Sequence, residues 1–165
     1  MVPFHSTIIV GIRACIYVAL GFGALAGAVP ALIADPTPGP LLFLGLPILF
    51  AGLAIYLWTT WAFVSVGRGT PLPLDPPRTL VIHGLYRAVR NPMALGFCLI
   101  FIGEAVAFDA LQILTYAGVL FLVIHLFIVF VEEPGLKRRF GASYEAYCQS
   151  VRRWLPRLSA LRRSR

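Results

Sequence analysis

The chain has 165 residues, 59% of them hydrophobic and only 13% charged, with a mean hydropathy of +0.83. That balance excludes an ordinary soluble domain and predicts an all-α integral membrane protein. Fourteen Lys and Arg against seven Asp and Glu give a net charge of +7. In a soluble chain this would raise nucleic-acid binding; here it marks the cytoplasmic side and contact with anionic membrane lipids, so no nucleic-acid partner is expected. Cys15, Cys98 and Cys148 are far apart and lack ligand spacing, so neither a disulfide framework nor a metal site is expected.

The first apolar run, about Ile8 to Ile33, is too long for the core of a signal peptide and predicts a transmembrane helix with Arg13 near its inner end. Gly21, Gly23 and Gly27 favour close helix contact, and Pro30 should bend or end the helix. The link from Asp35 to Pro40 forces a turn. A second span runs from about Leu41 to Val66, with Trp58 and Trp61 placed for an aromatic belt at the water interface. Residues 67–77, rich in Gly and Pro, form a loop whose Gly-x-Gly lacks the strand-to-helix setting of a phosphate-binding turn; a rigid extended linker is expected.

The third span, Pro92 to about Phe108, and the fourth, Leu111 to Val131, are separated only by Asp109 and Ala110, which makes them an antiparallel hairpin. Asn91 suits the N-cap and Pro92 the first helical position. Gly96 and Gly103 lie on one face and favour the close approach of another helix. At 1.5 Å per residue this third span reaches only about 25 Å, so it starts below the head groups or thins the bilayer. Beyond Pro134 the chain turns basic, and Leu136, Phe140, Tyr144, Tyr147, Val151 and Trp154 recur at helical spacing. This predicts an amphipathic interfacial helix pair, interrupted at Gly141, with Lys137, Arg138, Arg139, Arg152 and Arg153 facing phosphate or water.

Topology follows from charge. With residues 67–91 and the C-terminal tail inside, all the cations lie at the inner face, while the outer links carry only Asp35 and Asp109. Four spans with both termini cytoplasmic are expected, in a bacterial inner membrane. The chain then divides into helices 1 and 2 (residues 1–66), a region carrying the chemistry (67–157) and a basic tail (158–165).

The polar stretch His83-Gly-Leu-Tyr-Arg-Ala-Val-Arg-Asn-Pro-Met-Ala-Leu-Gly96 runs straight into the third span, and Glu132-Glu133-Pro134 closes the fourth. A hairpin brings both to one membrane face. Arg90 is placed to bind a cofactor carboxylate, to pair with Glu132 or Glu133, or to anchor a lipid phosphate. The two glutamates point about 100° apart on a helix and cannot share one task. His125, seven residues before Glu132, shares its face and comes level with Ala94 and Leu95; it is either functional or a hydrogen bond between helices. For Glu104, in the outer half, a structural hydrogen bond is expected.

The combination of Gly84-Leu-Tyr-Arg87, Arg90-Asn-Pro92, Gly96, Glu132-Glu133, Phe140-Gly141 with Tyr144 and Tyr147, and Trp154-Leu-Pro-Arg157 resembles the isoprenylcysteine carboxyl methyltransferase and phospholipid methyltransferase superfamily. The resemblance covers about residues 67–157. Asn91 and Ala94 stand where that pattern has His and Tyr. The resemblance implies a membrane methyltransferase that binds S-adenosylmethionine through His83, Gly84, Tyr86, Val89, Arg90, Asn91, Pro92, Met93, Leu95, Gly96, Glu132 and Glu133. With His125 added from its intramembrane position, Arg90, His125 and Glu133 are expected as the catalytic residues, and the resemblance implies a small or lipid-attached acceptor (carboxylate, thiol or amine) entering from the bilayer. The same arrangement resembles the cofactor end of membrane sterol reductases, so an NADPH-dependent reductase is the alternative; a non-catalytic, lipid-binding scaffold is a third.

Overall fold

The computed structural model describes residue 16 and residues 23–35, 37–67 and 78–156. Among these every regular element is helical: α1 (Ala24–Ile33), α2 (Leu42–Gly67), α3 (Pro92–Ala107), α4 (Leu111–Phe140) and α5 (Ala142–Ser150), with a single 3-10 turn at Gly84–Arg87. The all-α expectation holds. Two helices, the 26 residues of α2 and the 30 of α4, are long and apolar enough to cross a membrane. The 16 residues of α3 make a shorter apolar helix, and most of the expected first span lies outside the described residues, as does the basic tail expected at 158–165.

The most extensive helix contact joins α2 to α3 rather than α3 to α4. It is made backbone to backbone. A Cβ on Gly52 would stand 2.6 Å from the Gly96 carbonyl oxygen, one on Gly96 would stand 2.9 Å from the Gly52 carbonyl, and one on Gly103 would stand 2.7 Å from the Leu49 Cα. Gly45 meets Ala107 and Gly103 in the same way. Each helix therefore offers two glycines seven residues apart, and the two sets meet in antiparallel register. The close approach expected of Gly96 and Gly103 is present; Gly45 and Gly52 are its other half. Gly23 and Gly27, by contrast, have nothing among the described residues within 4 Å of an added Cβ, and Gly21 lies outside the described residues.

Around this seam Phe97, Ile100 and Phe101 of α3 pack with Ala110, Ile113 and Ala117 and with Leu49, Leu53 and Tyr56 of α2. Edge-on ring pairs, Phe97 with Phe101 at 4.9 Å and Phe101 with Tyr116 at 5.4 Å, carry the core on to α4. The Tyr116 hydroxyl donates to the Leu25 carbonyl of α1 at 3.3 Å. Glu104 is buried, but its Oε2 has no hydrogen-bond partner among the described residues, so the structural bond expected there is not made by that atom within them.

The links at one end lie together, with Gly39 N–H donating to the Ala107 carbonyl at 2.8 Å. Asp109 turns the chain at φ 51° between α3 and α4. At the other end α4 does not stop at the glutamates. Its turn at Ile128–Glu132 is π-helical and the helix continues to Phe140, where Gly141, at φ 52°, breaks it from α5. The break expected at Gly141 is present.

The seam makes a direct prediction. Gly103→Leu drives a side chain into the α2 backbone, and overpacking of this kind destabilises by about 1–3 kcal/mol or more. The melting temperature in detergent should fall by several degrees, whereas Gly118→Leu, with nothing within 4 Å, should leave it unchanged or raised. Equal melting temperatures for the two variants would refute the seam.

Candidate active site

The stretch from His83 to Asn91 is fixed from three sides. Gly84, at φ 51°, lies flat against the Trp58 indole of α2, and any Cβ there would run into the ring. Trp58 is therefore a wall for this turn as well as an exposed aromatic. Tyr86 is buried with Ala62 and Val81, and its carbonyl accepts the Tyr147 hydroxyl of α5 at 2.6 Å. Val89 pairs with Arg152 as an isolated bridge, and Arg90 N–H donates to the Arg152 carbonyl at 2.9 Å.

The stretch thus docks onto the segment that follows α5. Tyr144, Tyr147 and Val151 form a buried cluster against Leu80, Leu136, Phe140 and Cys148 that holds this segment down. Trp154, the last of the residues expected at this spacing, points elsewhere.

Glu133 is the hub. The Arg153 guanidinium grips it with both arms, Nε to Oε1 and Nη2 to Oε2, each at 2.8 Å. Arg90 Nη1 stands 3.4 Å from Oε1 and donates to Cys148 Sγ at 2.6 Å. The Arg90 and Glu133 side chains are only 12% and 17% exposed, so solvent screens this cluster less than a surface pair. Hydrogen bonding to Glu133 holds Arg153 charged beyond its ordinary range.

Of the three roles open to Arg90, pairing with a glutamate is the one seen. Asn91 stands at the N-terminus of α3, but its amide donates to the Arg153 carbonyl at 3.3 Å and does not cap the helix.

Glu132 points elsewhere. It makes no hydrogen bond among the described residues and lies close enough to Tyr86 to act on it. Burial, then the Glu132 charge, push the Tyr86 hydroxyl well above its ordinary value. The two carboxylates thus take separate tasks, as their angular separation requires.

The π turn also alters the expected relation to His125. A turn closed i→i+5 takes in one extra residue, so Glu133, eight residues on, returns to the His125 face where Glu132 was expected. The contacts agree, since adjacent residues reach the two: Arg153 takes Glu133, and the Trp154 Nε1–H donates to His125 Nδ1 at 3.2 Å. With Nδ1 accepting, the proton of neutral His125 sits on Nε2. That tautomer donates at its free nitrogen and is no base there.

The remaining expected site residues fall into two groups. Met93, Leu95 and Asn91 are half-buried and His83 is exposed, while Pro92, Val89 and Gly96 are buried, Gly96 against α2. Gly96 therefore sets helix spacing rather than facing the glutamates. Arg153, expected to face phosphate or water, instead holds Glu133, and Trp154, expected on the helix stripe, instead meets His125. The Trp-Leu-Pro run that opens with Trp154 was the available signal.

A helical membrane protein with one carboxylate of a doublet tied to an Arg-Asn-Pro turn is the class this geometry defines. The chain belongs to the phospholipid methyltransferase family, whose model matches residues 40–143. It is similar to methanethiol S-methyltransferase 2 of Bradyrhizobium diazoefficiens, with 36% identity over 107 residues, 62% of this chain and 37% of that protein. The chain therefore spans little more than a third of the length of this curated relative. No solved structure matches.

Tyr147 supplies a pH test. Burial raises its hydroxyl above the ordinary tyrosine value of 10.0. The folded state thus keeps a proton that the unfolded chain releases near 10, and stability falls as pH rises from there toward the folded value. Thermal unfolding should show this alkaline loss, with a shallower slope in Tyr147→Phe. At neutral pH that variant should also be less stable by about 0.5–1.5 kcal/mol for the lost bond to Tyr86. Identical alkaline slopes would exclude Tyr147 as a source.

Proposed function

We propose that this chain is an S-adenosylmethionine-dependent methyltransferase of the membrane, acting on a small or lipid-attached acceptor. One observation carries the reading. Glu133 alone engages both guanidinium groups, leaving Glu132 unengaged and the buried Arg90 Nε without a partner among the described residues. A spare anionic acceptor beside a spare cationic donor suits a ligand with an ammonium or diol at one point and a carboxylate at another. Both comparisons name methyl transfer, on phospholipid for the family and on the sulfur of methanethiol for the relative. Neither supports the reductase or scaffold alternative.

The bound cofactor supplies an electrophilic methyl on a sulfonium centre. The protein's part is placement. Glu132 takes the ammonium or ribose diol, Arg90 the carboxylate, and Glu133 holds Arg90 and Arg153 in position. His83, Gly84, Tyr86, Val89, Asn91, Pro92, Met93, Leu95 and Gly96 shape or support the cofactor side. Holding the acceptor in line with the methyl and keeping water out supply most of the rate. In this assignment Glu133 and His125 position other groups, and no general base on α4 is required.

S-adenosylhomocysteine should raise the melting temperature of the purified protein and NADPH should not. Glu132→Ala should remove that stabilisation with the ligand-free melting temperature unchanged, and Arg90→Ala should remove it while also lowering the ligand-free melting temperature. Stabilisation by NADPH, or none by S-adenosylhomocysteine, defeats the assignment.

The site is placed on the cytoplasmic side of a bacterial inner membrane, on charge asymmetry. A cysteine introduced at Thr37 should react with impermeant reagents from outside, and one at Ser143 should not. The reverse pattern would invert the orientation.

A further inference from the structure

The acceptor side of the site carries one residue that its position singles out. Trp154 lies beside Arg153 in the chain, yet its indole reaches the level of His125, eight residues and about 12 Å deeper along α4 than Glu133. There it closes a cluster of three rings, 4.9 Å from Phe121 and 5.7 Å from His125, with Phe121 and His125 stacked 6.2 Å apart. The two residues before it are tied to both sides of the site: the Arg152 carbonyl accepts Arg90 N–H, the Arg153 carbonyl accepts the Asn91 amide, and the Arg153 side chain holds Glu133. The indole is thus a fixed plug on the membrane-deep side of the Arg90–Glu133 cluster. An acceptor arriving laterally from the hydrocarbon region along this face meets it before it meets the cluster.

We infer that Trp154 sets the size of the acceptor, admitting small thiols and holding back head groups that remain attached to acyl chains. The inference rests on the methyltransferase reading and narrows its acceptor class. The indole's one polar atom is already used by His125, so the plug offers an incoming acceptor ring faces, which suit sulfur better than an ammonium that must stay hydrated or be paired. The reaction balances without a further reactant: the thiol's proton leaves to the water that reaches the partly exposed Arg153 side of the cluster, and its sulfur forms a bond to the methyl carbon. The methyl–sulfonium bond breaks, and its electron pair stays on the donor sulfur as a neutral thioether.

The experiment compares wild type, Trp154→Ala, Trp154→Phe and His125→Leu in nanodiscs containing phosphatidylethanolamine, with ethanethiol as the small acceptor. Wild type should methylate ethanethiol and leave the lipid amine untouched, and Trp154→Phe, smaller and without the bond to His125, should fall between wild type and Trp154→Ala. Trp154→Ala should shift the ratio of kcat/KM toward the lipid at least tenfold. His125→Leu, which frees the indole without shrinking it, should shift the ratio the same way.

A readout independent of turnover uses protein saturated with S-adenosylhomocysteine. Ethyl methyl sulfide should stabilise wild type, whereas dodecyl methyl sulfide should stabilise only Trp154→Ala and His125→Leu. If wild type methylates the lipid amine, or Trp154→Ala keeps the wild-type profile while still binding S-adenosylhomocysteine, the size limit is overturned and the methyltransferase reading stands. If S-adenosylhomocysteine fails to bind wild type, both fall together.

Discussion

The Glu133 carboxylate is the point on which the inner end of this molecule depends. It joins Arg90, at the mouth of α3, to Arg153, beyond the end of α5, and so ties together parts of the chain that no run of local structure connects. A half-buried carboxylate between two guanidinium groups is stable only while all three are present. Removing one leaves a charge in a place that solvent reaches poorly, a loss of several kcal/mol for a fully buried pair and less here, where Arg153 is one-third exposed. The neighbouring glutamate is left out of this arrangement.

The hub requires a rigid base, and the seam between α2 and α3 provides it. Backbones in contact at Gly45, Gly52, Gly96 and Gly103 fix the height of Pro92 relative to Trp58. Trp58 in turn fixes Gly84, and the turn carrying Arg90 follows. Packing through small residues suits a bilayer, where the hydrophobic effect gives helices little reason to associate and close contact must do so instead.

Much of this was legible in the sequence, and what escaped did so for identifiable reasons. Pro92 after Asn91 marked the start of α3, Asp109-Ala110 the tight link, Gly141 the break, and the Arg90 and glutamate patches their own meeting. Each of these signals is local or rests on a hairpin of known direction. The partner of Gly96 and Gly103 was also written in the chain, as Gly45 and Gly52 at the same spacing, but it becomes visible only when the two spans are compared. The roles of Arg153 and Trp154 depend on contacts 20 and 29 residues away in sequence. Helical periodicity placed Trp154 on the stripe of Tyr144 and Tyr147, whereas the chain leaves the helix after Ser150 and the stripe ends with it. The π turn at Ile128–Glu132 was invisible to any reading that assumes 3.6 residues per turn.

That turn gives the glutamate doublet a second meaning. A wide turn holds one residue more than a regular α-helix would place in the same length. Wound as a regular α-helix, the same residues would present the first carboxylate of the pair, not the second, to the arginine beyond α5. With two identical residues in succession, either winding keeps one carboxylate in the ion pair. The doublet thus buffers the site against a slip of one residue, and the price of a slip is that the two glutamates exchange roles.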